Sequence, residues 1–389
     1  MSHSNLGNFG TFIRGKGIPK GHVINGDGLP CIRYAEIYTS YDETADNLIS
    51  RISEENSRDA LKIGYGDIIF PTSGETAEEI GKAVAYLGSE TAYAGGDTLV
   101  LRDHEQNPAY LAYALNEWQA VKQKARLATG QSVVHIYAAE LGQVSIWLPP
   151  LAEQERIVEI LSDADAAIST AEKQLEAFSL SQKHQHNRLI AEIADAFGTK
   201  TVSDIADISI GSSKASVLCE KGNFLVLDMG GVSEDGDLIS QKFTDRNEDL
   251  LSLGDIIVPK DDIGDGLIIG KAGIVDSDNR YVLGDHVFKL SADNIHPRYL
   301  QAAINSTHFR RQVLRIATGS AQLGINQANF VKLQVAAPTD EKQHVVASIY
   351  ENTKTAEKIM VDRIDTLKKQ KRGLMQQLLT GKLRVPEKG

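Results

Sequence analysis

Apolar side chains recur at Ile157, Leu161, Ala164, Ile168, Ala171, Leu175 and Phe178, in steps that alternate four and three. Mostly charged residues fill the gaps. The pattern is a heptad seam and predicts a long helix. It opens on the phrase PPLAEQERIVEIL at 149–161, and a relaxed copy, PTDEKQHVVASIY, begins at Pro338. A second stripe follows the copy: Val346, Tyr350, Thr353, Glu357, Met360, Ile364 and Leu367, extended by Leu374 and Leu378. Glu357 interrupts this seam, with Ala356 beside it as a substitute. Asp340 with Gln343 reads as a variant of the capping box. Leu151 stands at the matching place in the first copy and has no capping side chain. Gly198 and Gly381 are the expected helix stops. About 40 residues at ~1.5 Å each make a rod of roughly 60 Å. Such a rod needs a partner for its seam, and the other copy is the economical one. A chain that runs domain, helix, domain, helix can pair them antiparallel.

The segment before each helix has a different pattern. Short apolar runs bounded by Gly, Asp and Pro, such as DIIF, DTLVL, DIIVP and HVFKL, predict strands. PAYLAYALNEWQAVKQKA and PRYLQAAINSTHFRRQVL predict short helices, so each segment is a compact α+β domain. The two segments are copies. GDIIFP at 66–71 matches GDIIVP at 254–259, GGDTLVL at 95–101 matches LGDHVFKL from Leu283, and PAYL at Pro108 matches PRYL at Pro297. RLATG at 126–130 matches RIATG at 315–319, and the helix-opening phrase follows each time. The order is constant and the offset stays at 188 or 189, which chance does not do over five blocks. The expected organisation is a first domain at 1–148, a helix at 149–197, a second domain at 198–337 and a second helix at 338–389. The two arms are then related by a pseudo-twofold axis.

Composition narrows the class. A chain of 389 residues suggests two or three domains. No apolar run approaches the roughly 20 residues that span a bilayer. The opening MSHSNLGNFGTF lacks a basic region followed by an apolar stretch, and Cys31 and Cys219 lie too far apart for a Cys-based zinc site or a disulfide framework. The expectation is a cytoplasmic protein with reduced thiols and no membrane contact. Net charge is −11, which weighs mildly against nucleic acid as a partner but leaves room for a local basic face. From 149 to 195 there are nine acids and four bases, net −5; from 339 to 388 there are seven acids and eleven bases, net +4. Opposite signs favour pairing of the two helices.

Catalytic motifs are missing. GDGLIIGKAG at Gly264 spaces its glycines one residue too far for a phosphate loop, and Ala272 stands where a hydroxyl would meet magnesium. GETAEEIGKA at Gly74 fails similarly. There is no Asn/Asp-Pro-Pro-aromatic motif for a flipped base, no dinucleotide glycine fingerprint and no His-Glu-x-x-His pair. Asp340-Glu341-Lys342 resembles a fragment of some nuclease sites, but it lies at a helix start without an upstream acid.

The combination of GDIIF, ATG, PPLAEQERIVEIL and the terminal LLTGKLRV resembles the specificity subunit of type I restriction–modification systems. The resemblance covers the whole chain and is strongest at 150–161 and 376–385. Lys342-Gln343 departs from Glu153-Gln154 in the second copy. The resemblance implies two target recognition domains, each reading half of a split, asymmetric DNA sequence, separated by an antiparallel coiled coil. It implies double-stranded DNA, two methyltransferase subunits and motor-endonuclease subunits as partners. S-adenosylmethionine, ATP and magnesium would be bound by those subunits, with this chain itself non-catalytic. A duplicated coiled-coil adaptor that never touches DNA is the alternative that the repeat alone allows.

Reading bases needs donors and acceptors in the major groove, with phosphate contacts to set register. In the first domain the Gly-spaced stretch FIRGKGIPKGHVINGDGLPCIRYAEIYTSY offers Arg14, Lys16, Lys20, His22, Arg33 and Tyr34. In the second, Lys214, Lys260 and Lys271 lie in Gly/Asp-rich turns. Lys122, Lys124 and Arg126 precede the first ATG, as Arg310, Arg311 and Arg315 precede the second. The coincidences Lys122/Arg311 and Arg126/Arg315 fit shared phosphate contacts, against ordinary ion pairing to nearby acids. Ser132, Ser320 and Gln322, just after the ATG turns, complete the candidates, in loops able to offer amides to phosphate.

Overall fold

The computed structural model of the chain describes residues 3–264, 266–319 and 322–385. The fold is α+β, built twice, with two long helices. The main helices are α1 (Pro108–Asn116), α2 (Trp118–Leu127), α3 (Leu151–Phe197), α4 (Pro297–Ile304), α5 (Thr307–Ile316) and α6 (Asp340–Leu378). Two compact units form, 1–171 with 363–389, and 172–362, so each unit holds part of both α3 and α6.

In the first unit one five-stranded sheet runs in the order Thr11–Arg14, Thr98–Arg102, Ile68–Pro71, Val84–Tyr86, Thr44–Ala45. The other runs Val23–Ile24, Ser50–Ile52, Leu29–Ile32, Ala92–Ala94, Leu61–Ile63. Ile68 and Phe70 enter the core shared with α1 and the start of α3, while Ile69 packs with Ile32, Ile63 and Ala92 of the second sheet. A strand covered on both faces reads as an unbroken apolar run, which is why GDIIFP does not alternate. The second unit has two four-stranded sheets. One runs Ala206–Ile210, Val287–Ala292, Ile256–Pro259, Gly273–Ile274, and the other runs Leu218–Cys219, Phe243–Thr244, Phe224–Leu227, Tyr281–Leu283. Ile256 and Val258 face one core and Ile257 the other.

The duplication extends to polar anchors. Asn116 accepts from the Ala83 amide at 2.9 Å and donates to its carbonyl at 2.8 Å; Asn305 holds Ala272 in the same way at 2.9 and 2.9 Å. Gln123 grips the Ser145 backbone twice, and Gln312 grips Gln334 twice. The Tyr110 hydroxyl donates to the Trp147 carbonyl at 2.7 Å, and Tyr299 to Ala336 at 2.8 Å. Each pair satisfies backbone groups whose loss inside the core would cost about 1–3 kcal/mol.

The Gln of the repeated opening phrase has a specific task. Gln154 accepts from the Asn107 amide at 3.0 Å and donates to the Pro149 carbonyl at 2.9 Å. Gln343 accepts from the His296 amide at 2.7 Å and donates to Pro338 at 3.0 Å. Each long helix is thereby tied to the start of α1 or α4. This corrects the capping-box reading of Asp340 and Gln343: the Gln343 oxygen serves another helix, and its amide is 3.4 Å from Asp340. Gly198 and Gly381, at φ +78 and +71, sit just beyond the helix ends as expected.

Within each unit α3 and α6 run antiparallel. In the first, Ile157, Leu161, Ile168 and Ala171 are buried, as are Ile364, Met375 and Leu378. Lys371 lies on the second stripe, and its ammonium contacts Glu43 at 2.8 Å and Asp165 at 2.6 Å. Tyr113 donates to the other Asp165 oxygen at 2.5 Å. Burial works against the Lys371 charge, but Glu43 and Asp165 outweigh it and hold its pKa above the ordinary value. Beyond α6, Arg384 makes two bonds to Glu153, at 2.8 and 2.7 Å, and the Val385 amide adds a third. Lys342, at the position equivalent to Glu153, lies 4.9 Å over the Phe197 ring instead. The mismatch between the two phrases thus goes with a tail whose Arg384 and Val385 bind Glu153. In the second unit Thr353 donates to Gln182 at 3.2 Å, and the His186 and Tyr350 rings are 5.2 Å apart. Among the described residues no helix is long and apolar enough to cross a membrane.

Candidate nucleic-acid interface

The two ATG turns share their glycine conformation and their closing bonds. Gly130 and Gly319 both have φ +119, and a Cβ on either would strike a carbonyl, of Val133 or Gln322. Only glycine fits there. Thr129 and His135 close the first turn with bonds of 2.9 and 2.7 Å; Thr318 and Gly324 close the second at 3.0 and 2.8 Å. α2 and α5 run into these turns. Arg126 and Arg315 occupy their last turns, where a cation is favoured by the helix dipole. Both are exposed, as are Lys122 and Arg311 one turn earlier. Lys122 stands 5.0 Å over the Trp118 ring. Arg311 and Arg315 line a cleft of about 470 Å³ with Thr199, His308, Gln312 and Gln334. Ser132 and Gln322 are exposed just after the turns, and Ser320 lies outside the described residues.

The first domain carries a second basic surface. Arg14 ends the strand Thr11–Arg14, and Lys16, Lys20 and His22 follow on a loop, all four exposed. Their backbones are bonded, Arg14 in the sheet against Leu99 and His22 to the Pro19 carbonyl at 2.9 Å, but no side-chain hydrogen bond or ion pair joins any of the four to another described residue. Tyr34, 40% exposed, starts the helix Tyr34–Thr39.

Residues 2–177 and 195–369 each match the Type I restriction modification DNA specificity domain. The chain belongs to that family. It is 25% identical over 377 residues to the type I restriction enzyme MjaVIII specificity subunit of Methanocaldococcus jannaschii, covering 90% of this chain and 86% of that one. It is 25% identical over 385 residues to the putative MjaX specificity subunit of the same organism, covering 92% and 88%. The fold is similar to that of the type I restriction–modification S subunit from M. genitalium, with a TM-score of 0.56 at 13% identity over 100% of this chain and 96% of that one. It is also similar to a chain from a study of assembly and conformational transition in the type I system, with a TM-score of 0.60 at 14% identity over 98% of both.

Several of the basic side chains singled out in the sequence are bonded or partly buried within the two specificity domains. Arg33 is bound to Glu36 at 2.6 Å, and Glu36 also accepts from Ser50. Lys214, 6% exposed, pairs with Asp249 at 2.8 Å and donates to Ser212, so it is a buried anchor. Its bond holds the Asp249 carboxyl below the usual range. Lys260 pairs with Asp261 at 2.8 Å, and His286 shares that carboxylate. Lys271 is half-buried, and burial, then Arg310 and Lys183, pull its pKa down. Lys124 is fully buried and donates to the Gly81 carbonyl at 2.6 Å. Arg310 donates to the Ile269 and Gly266 carbonyls. The amides of Gly264, Ile268 and Ile269 turn inward to Asp262, so that glycine-rich loop has a structural occupant for them. The ATG turns likewise use the Thr129 and Thr318 amides in their own closure.

The surviving surface divides in two. Lys122, Arg126, Arg311 and Arg315 are duplicated and exposed, whereas Arg14, Lys16, Lys20, His22 and Tyr34 belong to the first domain alone. Duplicated charge suits phosphate, which is the same everywhere; unduplicated polar groups suit bases, which differ. The anchors that position these elements, Gln123, Gln312, Asn116 and Asn305, escaped the sequence reading, although their constant offset was a usable signal.

Proposed function

We propose that this chain is the DNA-specificity subunit of a type I restriction–modification complex, with each domain reading one half of a split asymmetric site. The observation that carries this reading is the doubled specificity domain: two equivalent folds keep the same exposed arginines at the end of the same helix and differ in the loops beside them. A protein adaptor with no DNA contact has no need of that division. The antiparallel pairing of α3 and α6 supports a further role for their length, namely setting the number of unread base pairs between the half-sites. The outer faces of the same helices are the proposed docking surface for two methyltransferase subunits, with motor-endonuclease subunits joining the assembly in the cytoplasm. S-adenosylmethionine, ATP and magnesium belong to those subunits in this reading, and this chain contributes recognition without catalysis. Removing seven residues, about two helical turns or ~10 Å, from both α3 and α6 tests it. The recognised spacer should shorten while both half-sites persist. Changed half-sites would sink the ruler.

A further inference from the structure

The loop that carries Lys16 and Lys20 is built in an unusual way. Gly15 is buried, and a Cβ there would collide with the Gly95 carbonyl and the Thr98 hydroxyl. Its amide donates to Thr98 at 3.0 Å, and the Gly17 carbonyl accepts from Gly96 at 2.9 Å. Next comes Ile18, at φ +55. A β-branched residue in the left-handed region is costly, and a following proline, here Pro19, disfavours helical angles further. Such strain persists only when surrounding packing fixes it, and it concentrates at functional sites. The packing is visible: Ile18 is 4% exposed and sits in a small separate core with Cys31, Ile52 and Tyr93. The side chain plugs the loop into the second sheet, and the exposed Lys16 and Lys20 flank the plug.

The second domain repeats the device with different parts. Gly211 is placed like Gly15, and a Cβ on it would meet the Gly284 carbonyl. The loop then runs Ser212-Ser213-Lys214, and a short 3-10 turn follows at Ala215–Val217, as one does at Lys20–His22 in the first domain. Here the buried plug is Lys214, bound to Asp249, itself at φ +62. Both loops leave the sheet at the same point and are pinned from inside, yet their exposed residues share nothing. That is what two readers of different half-sites require, whereas the Arg126 and Arg315 arms stay alike.

We propose that the loops at 15–22 and 211–217 are the equivalent base-reading loops of the two domains, and that Ile18 and the Lys214–Asp249 pair are the positioning residues that hold them in reading geometry. The inference rests on the DNA-specificity reading above. The plugs themselves touch no DNA.

The test uses the full-length chain and a random-sequence duplex library, selected by binding and sequenced. With Ile18→Ala, base preference in one half-site should fall at least tenfold. The other half-site and the salt dependence of total binding should stay as they were. Ile18→Val keeps the plug and should restore the preference. Asp249→Asn should degrade the opposite half-site only. If Ile18→Ala and Asp249→Asn, both folded by circular dichroism, leave both half-sites unchanged, the positioning role is wrong while DNA reading stands. A simultaneous loss in both half-sites also overturns it. If the unaltered chain enriches no sequence, the underlying reading fails and the proposal with it.

Discussion

Lys124 offers a quantitative test of how the first domain is built. It is 1% exposed, its ammonium has the Gly81 carbonyl at 2.6 Å, and burial pulls its pKa down from 10.5 to about 7. At about 1.4 kcal/mol per pKa unit, keeping this group charged in the folded state costs roughly 5 kcal/mol. Between pH 7 and 10.5 the unfolded chain binds a proton that the folded chain does not. Stability therefore rises with pH through that window, and the full cost applies below it. Lys124→Met removes the cost and fills a similar volume, but leaves the Gly81 carbonyl without its donor, a loss of about 1–3 kcal/mol. The variant should be about 2–4 kcal/mol more stable at pH 6.5, with the advantage shrinking by roughly 3 kcal/mol by pH 9.5. Val313 occupies the equivalent buried place in the second domain, so an apolar side chain is compatible with the fold. Urea unfolding followed by tryptophan fluorescence is a suitable assay, because both tryptophans, Trp118 and Trp147, lie in the first unit. Parallel stability curves for the two proteins across this pH range would refute the reasoning.

Other outcomes follow from the same contacts. Lys371→Met leaves Glu43 and Asp165 facing each other without their cation and should destabilise the first unit by about 3–5 kcal/mol; adding Glu43→Gln and Asp165→Asn should recover part of this in the same fluorescence assay. The Arg384 bonds hold the Glu153 carboxyl below its ordinary value of 4.5, so their stabilisation is present above that pH and is lost as pH falls through the lowered folded value. Glu153→Gln should accordingly flatten the acid limb of stability, read at Trp147, whose ring lies 5.6 Å from the Arg384 guanidinium. Arg126→Ala and Arg315→Ala should each weaken DNA binding without altering sequence preference, and reduce the salt slope by about one. A changed preference in either variant would remove those residues from the phosphate-contacting class.

The repeat, both long helices and the mixed domains were legible because they rest on periodicity and on blocks that recur at one offset. Gln154 and Gln343 were legible as a repeated residue but not as a joint, since their partners, Asn107 and His296, lie 47 residues upstream. The basic surface was only half legible. Lys214 and Lys16 look alike in a Gly-rich string, yet the first is buried against Asp249 and the second is exposed. What separates them is a tertiary partner 35 residues away, which local pattern does not encode. Lys124 was harder still, because a lysine on an amphipathic helix beside other cations ordinarily faces solvent. Ile18 left a faint trace in the string Gly-Ile-Pro, whose strain appears only once its φ is known.

The central claim is that two equivalent domains read two different half-sites. Selection of bound duplexes from a random-sequence pool by the full-length chain, alone and with a methyltransferase subunit, tests it most directly. The account predicts two unlike specific blocks separated by an unread stretch of fixed length. A single contiguous block, a palindrome or no enrichment would contradict it.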